Sequence, residues 1–296
     1  MLAAALAGCG QPAASPRTAT GVVLLDLGDG HEVARVAAGS DPVAVVVSAD
    51  GATAYVSDNQ PGLVRAIELS SRRVTWTATV GGRPGPLLLS GGRLWVSLYG
   101  TGSLASLDPG SGRLLETRPV CPSPGQLVEW RGQVWTLCGG GAAASAAGAS
   151  LPAPAGFGLA AGPGGLWAAG YDSGEVQRLD APGRAAPPSG QHPFWLSMTG
   201  DGSLLVAAEA SDEDRGSGSV SLLEAGGAVR VLAGPRDPDQ AVESAGVVYV
   251  AAHGDRRVLV LRAGSPEIAW APGLDPVALA VDPALKLLVV VSDERE

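Results

Sequence analysis

The sequence lacks the features that most directly assign a function to a protein. It has 296 residues, with 20 Lys and Arg against 29 Asp and Glu, a formal net charge of −9, and no basic cluster. Proteins that bind nucleic acid use such clusters to contact phosphates, so nucleic acid is excluded as a partner. No apolar run approaches the roughly 20 residues of a membrane-spanning helix. The catalytic motifs HExxH, GxSxG and CxxC are also missing, so no motif indicates an enzyme.

Glycine and proline are abundant, with 43 and 23 residues respectively. Together they approach the level at which a chain is either disordered or unusually rich in turns. Hydrophobic residues nevertheless make up 46% of the chain, and the apolar runs are evenly spaced. This regular spacing favours a turn-dense all-β protein.

A template of two short strands recurs along the chain. The stretch "DPVAVVVSADGATAYVSDNQPG" (residues 41–62) combines a proline, an apolar strand, a glycine turn, a second strand centred on an aromatic residue, and a polar loop. Similar stretches begin at residues 41, 83, 123, 156, 192, 237 and 275. The proline and the aromatic are 11 residues apart in three copies and 13 in the first. A difference of two keeps the aromatic on the same strand face.

Two further strand-like runs follow most copies, which gives four strands in about 40 residues, the signature of a propeller blade. The last copy stops after its second strand, whereas residues 21–39 form an outer pair with no inner pair before it. We therefore predict an all-β, seven-bladed β-propeller, a single domain over residues 21–296, whose N- and C-terminal strands complete one blade. The aromatic residues of the repeated slot are expected to pack between blades: Tyr55, Trp95, Trp135, Trp167 and Tyr249.

Two resemblances to known families add expectations. Residues 41–62 resemble the YVTN-type β-propeller repeat, and the similarity, closest in the first and last copies, extends over residues 20–296. It implies a seven-bladed propeller of a kind often found outside the cytoplasm. The stretch "LAGC" (residues 6–9) resembles the lipobox of a bacterial lipoprotein. It implies a signal peptide over residues 1–8, lipidation at Cys9, a flexible tether over residues 9–20, and an extracytoplasmic location facing the periplasm or the cell surface.

Two other cysteines, Cys121 and Cys138, lie in the third copy. An exported chain favours a disulfide between them, and two free buried thiols are the alternative. The same copy continues into the Ala- and Gly-rich stretch "GGGAAASAAGASLPAPAG" (residues 139–156). Because this stretch offers few side chains to pack, we expect a degenerate or partly disordered outer edge there.

A ligand site is expected where the loops entering each inner strand and leaving each second strand open around the central channel. Each Asp there also has a structural interpretation, since Asp before Pro or at a strand end caps turns. The charged loop at residues 211–219 is expected to be solvated, with calcium binding as the alternative. The candidate ligand-binding residues are Asp41, Asp58, Asn59, Arg83, Tyr99, Tyr171, His192, Glu209, Asp237, His253, Asp275 and Asp293.

The leading interpretation is a monomeric, lipid-anchored protein without catalytic activity or cofactor, which binds a small ligand, a peptide or another envelope protein on this rim. The alternative is a metal-dependent, lactonase-like hydrolase, because carboxylates are the ligands that hard divalent cations prefer. Its metal ligands would come from Asp58, Glu209, Asp237, His253 and Asp275. A second alternative, an accessory lipoprotein of envelope assembly, rests on analogy with its anchor and propeller.

Overall fold

The protein is a seven-bladed β-propeller. The computed structural model describes residues 21–181, 185–186, 192–210, 218–271 and 273–293, and within them the strands form seven four-stranded sheets. This confirms the predicted fold class and blade number. Apart from one 3₁₀ turn at His253–Asp255, the regular structure of the described residues is strand. No helix in these ranges has the length and apolar character needed to cross a membrane.

The strands follow the repeat in chain order. The chain begins with β1 (Gly21–Asp26) and β2 (Glu32–Val36). Blade 1 contains β3 (Pro42–Val47), β4 (Thr53–Asp58), β5 (Leu63–Glu68) and β6 (Arg73–Thr79). Blade 2 contains β7 (Pro84–Ser90), β8 (Arg93–Leu98), β9 (Ser103–Leu107) and β10 (Leu114–Pro119). Blade 3 contains β11 (Pro124–Trp130), β12 (Gln133–Cys138), β13 (Ala142–Ser145) and β14 (Ser150–Pro152).

The second half repeats this order. Blade 4 contains β15 (Leu159–Gly162), β16 (Gly165–Gly170), β17 (Glu175–Arg178) and β18 (Ala185–Ala186). Blade 5 contains β19 (His192–Met198), β20 (Leu204–Glu209), β21 (Ser219–Leu223) and β22 (Val229–Ala233). Blade 6 contains β23 (Pro238–Ser244), β24 (Val247–Ala252), β25 (Arg257–Arg262) and β26 (Ile268–Trp270). The chain ends with β27 (Pro276–Asp282) and β28 (Leu287–Ser292).

Blade 7 is assembled from both ends of the described chain, as the sequence predicts. Its strand order is β2-β1-β28-β27, and β1 pairs antiparallel with β28, with Leu24 opposite Val289. The first strand of each blade contacts that of the next, so the seven inner strands form a closed ring around a channel. Closure leaves none of these inner strands as a free sheet edge.

The core lies between adjacent blades. Tyr55 of blade 1 packs with Leu94 and Val96 of blade 2, and Tyr249 of blade 6 packs with Leu288 of blade 7. The other aromatics of the same slot likewise belong to clusters shared by two blades: Trp95, Trp135 and Trp167. The repeated aromatic slot is therefore scaffold.

Blade 3 corrects one expectation. Its Ala-rich stretch forms two paired outer strands, β13 and β14, instead of a degenerate edge. Ala143 is fully buried in a cluster with Trp135 and Leu166, so its small side chain fills the space left beside large neighbours. Alanine also loses no side-chain entropy on burial, so a short strand of alanines is sufficient here. The blade contains a disulfide between Cys121 and Cys138, whose Cα atoms are 5.9 Å apart.

Candidate functional site at the channel mouth

The central channel opens into a cavity of about 920 Å³. Its apolar wall comes from the inner strands of blades 1, 2 and 7, and polar side chains surround its mouth. Half of the predicted site residues line it: Asn59, Arg83, Tyr99, His253, Asp275 and Asp293. The sequence thus locates the rim, although it does not distinguish which rim residues face the cavity.

A bulge after the first proline of the inner strand determines what faces the cavity. In six blades the pairing of the inner strand skips directly after this proline, which has no N–H to donate to the ladder. A bulge leaves the extra residue unpaired and redirects its side chain. The residues that follow the proline and line the cavity are Val43, Gly85, Phe194, Asp239 and Val277.

The cavity is displaced to one side because the inner strands of blades 3, 4 and 5 are drawn together. The Gln126 side chain accepts hydrogen bonds from the Leu159 and Leu196 amides at 3.1 and 3.3 Å and donates to the Leu196 carbonyl at 2.6 Å. Glycine allows this approach, since a Cβ at Gly158 would lie 2.6 Å from the Phe194 carbonyl oxygen. The open volume is therefore left mainly to the remaining blades.

Two of the predicted residues maintain the loop that enters blade 1. Asp58 is fully buried and accepts hydrogen bonds from the amides of Ser40 and Asp41 at 3.2 and 2.7 Å. Its other oxygen forms an ion pair with Arg65 at 2.6 Å. Asp41 is also buried and accepts a hydrogen bond from the Gln60 amide at 2.9 Å. Asp58 is therefore engaged in scaffold contacts and does not line the cavity.

Tyr171, His192 and Glu209 form a connected group at the seam of blades 4 and 5. The Tyr171 hydroxyl donates to the Glu209 carboxylate at 2.7 Å, and the Tyr171 carbonyl lies 3.0 Å from Nδ1 of His192. The tyrosine and histidine rings pack with centroids 4.8 Å apart. Glu209 is in turn close to Asp237 and Asp239, because oxygens of the three carboxylates lie within 4.8 Å of one another.

These carboxylates extend into an acidic arc across blades 5, 6 and 7, which we define as Glu209, Asp237, Asp239, Asp275 and Asp293. His253 lies within the arc, with Nδ1 3.8 Å from Asp239 and 3.6 Å from Asp275. This buried nitrogen makes no hydrogen bond within the described part of the chain. Burial raises the pKa of the Asp239 carboxyl well above its usual range, and the charges of Glu209, Asp237 and Asp275 raise it further.

The opposite side of the mouth carries a basic and an aromatic group. Arg83 donates from Nε to the Asn59 side-chain oxygen at 3.3 Å, and its guanidinium lies 5.7 Å from the Tyr99 ring centroid. The Tyr99 side chain is exposed at the rim. This side could donate hydrogen bonds to a ligand, while the acidic arc could accept them.

A stacked aromatic pair lies beside the acidic arc. The rings of Phe157 and Phe194 are nearly parallel, with centroids 4.6 Å apart, and the Trp195 ring lies 6.2 Å from that of Phe157. All three line the cavity. Phe194 and Asp239 occupy the same bulge position in adjacent blades, so an apolar ring and a carboxylate face the mouth from neighbouring inner strands.

The sequence analysis missed Asp239, Phe157 and Phe194. It selected the residues before the inner strand and after the second strand, whereas a bulge directs the residue after the proline toward the mouth. The position was readable, because Asp239 is the one acid where the other copies have Val43, Gly85, Phe194 or Val277. Comparing that column across the repeat would have found it.

The residues best placed to hold a divalent cation differ in part from the predicted set. The structure brings Glu209 and Asp237 together as expected and adds Asp239, whereas Asp58 is committed to Arg65. A second group, Asp26, Asp29 and His31, is largely exposed on the turn after β1. Most of the predicted calcium loop, residues 211–217, lies outside the described residues.

Comparisons with known proteins support the architecture. No family model matches the sequence, and no curated protein matches it. Virginiamycin B lyase from Staphylococcus aureus superposes with a TM-score of 0.70 at 14% identity, covering 92% of this chain and 98% of the lyase. A 6-phosphogluconolactonase-like protein from Bacteroides fragilis gives 0.65 at 14% identity, covering 91% and 100%. The dihydro-heme d1 dehydrogenase NirN gives 0.60 at 16% identity, covering 92% and 68%. At these identities the likeness shows the propeller fold alone.

Proposed function

We propose that this chain is a non-enzymatic binding protein that takes a small ligand into its channel mouth. The cavity itself carries the proposal, because its volume of about 920 Å³ lies in the range of small-molecule sites. Such sites combine an apolar wall with a few convergent polar groups. Here the inner strands supply the wall, and Arg83, Asn59 and the acidic arc supply the polar groups.

The structural neighbours leave the activity open. They include a lyase, a lactonase-like protein and a dehydrogenase, so the fold does not select among chemistries. The absence of a catalytic motif in the sequence favours binding. The opening of the cavity among the most varied side chains of the repeat supports the same conclusion.

A plugged variant tests the proposal. Val277 lines the cavity, so Val277→Trp should fill part of the mouth. Val231→Trp is the control, since Val231 is 66% exposed on the outer strand β22. A fragment library screened by ligand-observed NMR should yield fragments that bind the unaltered protein and the Val231→Trp variant but not Val277→Trp. A screen without binders, or with binders that Val277→Trp retains, would contradict the proposal.

The metal-dependent hydrolase remains the second candidate, and one observation favours it. Glu209, Asp237 and Asp239 offer three oxygens close enough to share one ion. Stoichiometric divalent metal in the purified protein, together with turnover of a lactone or ester that Glu209→Gln abolishes, would establish this candidate over simple binding. Protein that binds no metal and turns over no substrate would exclude it.

We further propose that the protein is a monomer anchored outside the cytoplasm through a lipid on Cys9. The disulfide supports an oxidising compartment, because cytosolic thiols are normally kept reduced. Gly21 pairs with Ser292, so the described chain begins on the face where the mouth opens. The anchor would then hold the mouth toward the membrane, where an envelope protein or peptide is an alternative ligand and a role in envelope assembly a further alternative. A Cys9→Ala variant that still fractionates with membranes would contradict the anchor.

A further inference from the structure

We infer that the ligand of the channel mouth is an organic cation, with an ammonium group at the acidic arc and an apolar or aromatic body against Phe157 and Phe194. This inference rests on the proposed binding function and specifies the chemical class of the ligand. It follows from the distribution of charge, from the position of the aromatic pair and from the size of the cavity.

The charge of the arc is only partly neutralised by the protein. The arginines nearest to it on blade 6 are largely committed elsewhere, because Arg236 and Arg257 pair with Asp255 at 2.9 and 3.6 Å. Arg256 reaches Asp275 only at 3.9 Å, and its own side chain is 54% exposed. Within the described ranges, the one ion pair that Asp239 makes is with His253 at 3.8 Å. An entering cation would therefore relieve repulsion among several carboxylates.

The raised pKa of Asp239 supports the same conclusion. Its causes are burial and neighbouring negative charges, both of which penalise the carboxylate as long as no cation is nearby. A bound ammonium group would offset both costs at the same position. The free energy of binding would then include relief of a penalty that the ligand-free protein carries.

The aromatic pair distinguishes an organic cation from a metal ion. Phe194 faces the mouth from the strand next to Asp239, and its ring stacks on Phe157. An aromatic face beside an acidic group attracts ammonium ligands through the ring quadrupole and packs against their hydrocarbon part. A metal ion would use neither the ring faces nor a cavity of about 920 Å³.

An anionic ligand fits the mouth less well. Arg83 is the one arginine that lines the cavity in the described residues, and it already bonds Asn59 and packs near Tyr99. An anion would also meet the repulsion of the acidic arc. Arg83 can instead donate to a neutral acceptor at the far end of a cationic ligand.

Four matched probes test the inference by titration calorimetry at constant ionic strength: 2-phenylethylamine, 2-phenylethanol, 3-phenylpropionate and butylamine. We expect 2-phenylethylamine to bind at least tenfold more tightly than each of the others. Asp239→Asn should lower its affinity to that of the alcohol and leave the alcohol unchanged, whereas Phe194→Ala should lower the affinity of both phenyl probes. Glu267→Gln, which removes an exposed charge far from the mouth, is the control and should change nothing.

The outcomes separate this inference from the proposed function. If the alcohol or the propionate binds best and Val277→Trp still blocks it, the binding function stands and the organic cation is wrong. If calcium binds at Glu209, Asp237 and Asp239 while the amine does not bind, the cation is inorganic and the inference is also wrong. If no probe binds and the fragment screen is empty, both claims fail.

Discussion

The buried ion pair between Asp58 and Arg65 is a clear residue-scale case of a rim aspartate used for structure. Asp58 is fully buried, and the Arg65 side chain is 17% exposed. Removing one partner of such a pair leaves the other charge uncompensated. We predict that Arg65→Met lowers the free energy of unfolding by about 3 kcal/mol, measured by urea denaturation.

An exposed pair provides the control for this prediction. Glu32 and Arg35 form an ion pair at 2.8 Å on the outer strand β2, with side chains 44% and 28% exposed. Surface pairs contribute about 0–1 kcal/mol, so Arg35→Met should have little effect. Equal losses for the two variants would show that Asp58 does not depend on Arg65.

Asp239 gives a prediction with an opposite sign. It is faced by Glu209, Asp237, Asp275 and His253, and its pKa is raised in the folded state. Protonated Asp239 therefore favours folding at acid pH, and this contribution is lost as the pH rises through the raised pKa. Asp239→Asn should raise the Tm at pH 7, and the gain should shrink as the pH falls toward about 4, where Asp protonates in the unfolded chain.

A scan of Tm against pH for both proteins checks this expectation. Glu267→Gln serves as the control, since its exposed carboxylate should give a difference that does not vary with pH in this way. A Tm that falls at pH 7 on Asp239→Asn would show that the carboxylate is stabilised by its surroundings, contrary to our account.

At the scale of the strand, the proline marks both what the sequence predicts and what it does not. The interval between proline and aromatic places Tyr55 and Tyr249 in the core between blades, as observed. The same alternation fails just after the proline, because a bulge shifts the pairing by one residue. Period-two reasoning therefore finds the scaffold but misses Asp239 and Phe194, which belong to the site.

The distinction between capping and ligand-binding aspartates was also beyond the sequence. Asp58 and Asp293 both follow the second strand of a blade, yet one is covered by Arg65 and the other lines the cavity. That difference depends on a partner seven residues away on the next strand, which only the strand register reveals.

Blade 3 supplies the element-scale prediction. The Cys121–Cys138 disulfide closes a loop of 17 residues around the short inner pair. In the chain-entropy model, losing such a bridge costs about 3 kcal/mol. We predict that the Cys121→Ser, Cys138→Ser double variant loses about this much in urea denaturation, and that reduction of the unaltered protein gives the same loss. Unchanged stability in the double variant would mean that β13 and β14 hold the blade without the bridge.

For the whole molecule, closure of the ring makes the two ends of the described chain interdependent. Leu24 on β1 is fully buried and packs with Val289 and Val291 of β28. We predict that Leu24→Ala costs about 3 kcal/mol in a single cooperative unfolding transition, because the cavity opens in the blade that closes the ring. Leu114→Ala on the outer strand β10 is the control, since Leu114 is 42% exposed and should change stability by less than about 0.5 kcal/mol.

Loss of only blade 7, detected as a first transition well separated from the rest, would contradict this interdependence. The repeat predicted the ring and its closure correctly because apolar alternation and chain ends are local signals. The ligand was not predictable, because it depends on the side chains that seven blades bring together at one mouth.

The most direct test of the account is a crystal structure of the protein soaked with 2-phenylethylamine. We predict that the ammonium group lies within hydrogen-bonding distance of Asp239, with the phenyl ring packed against Phe194 in the channel mouth. Density for the amine only on the outer surface of the blades, or a mouth left empty at saturating amine, would contradict it.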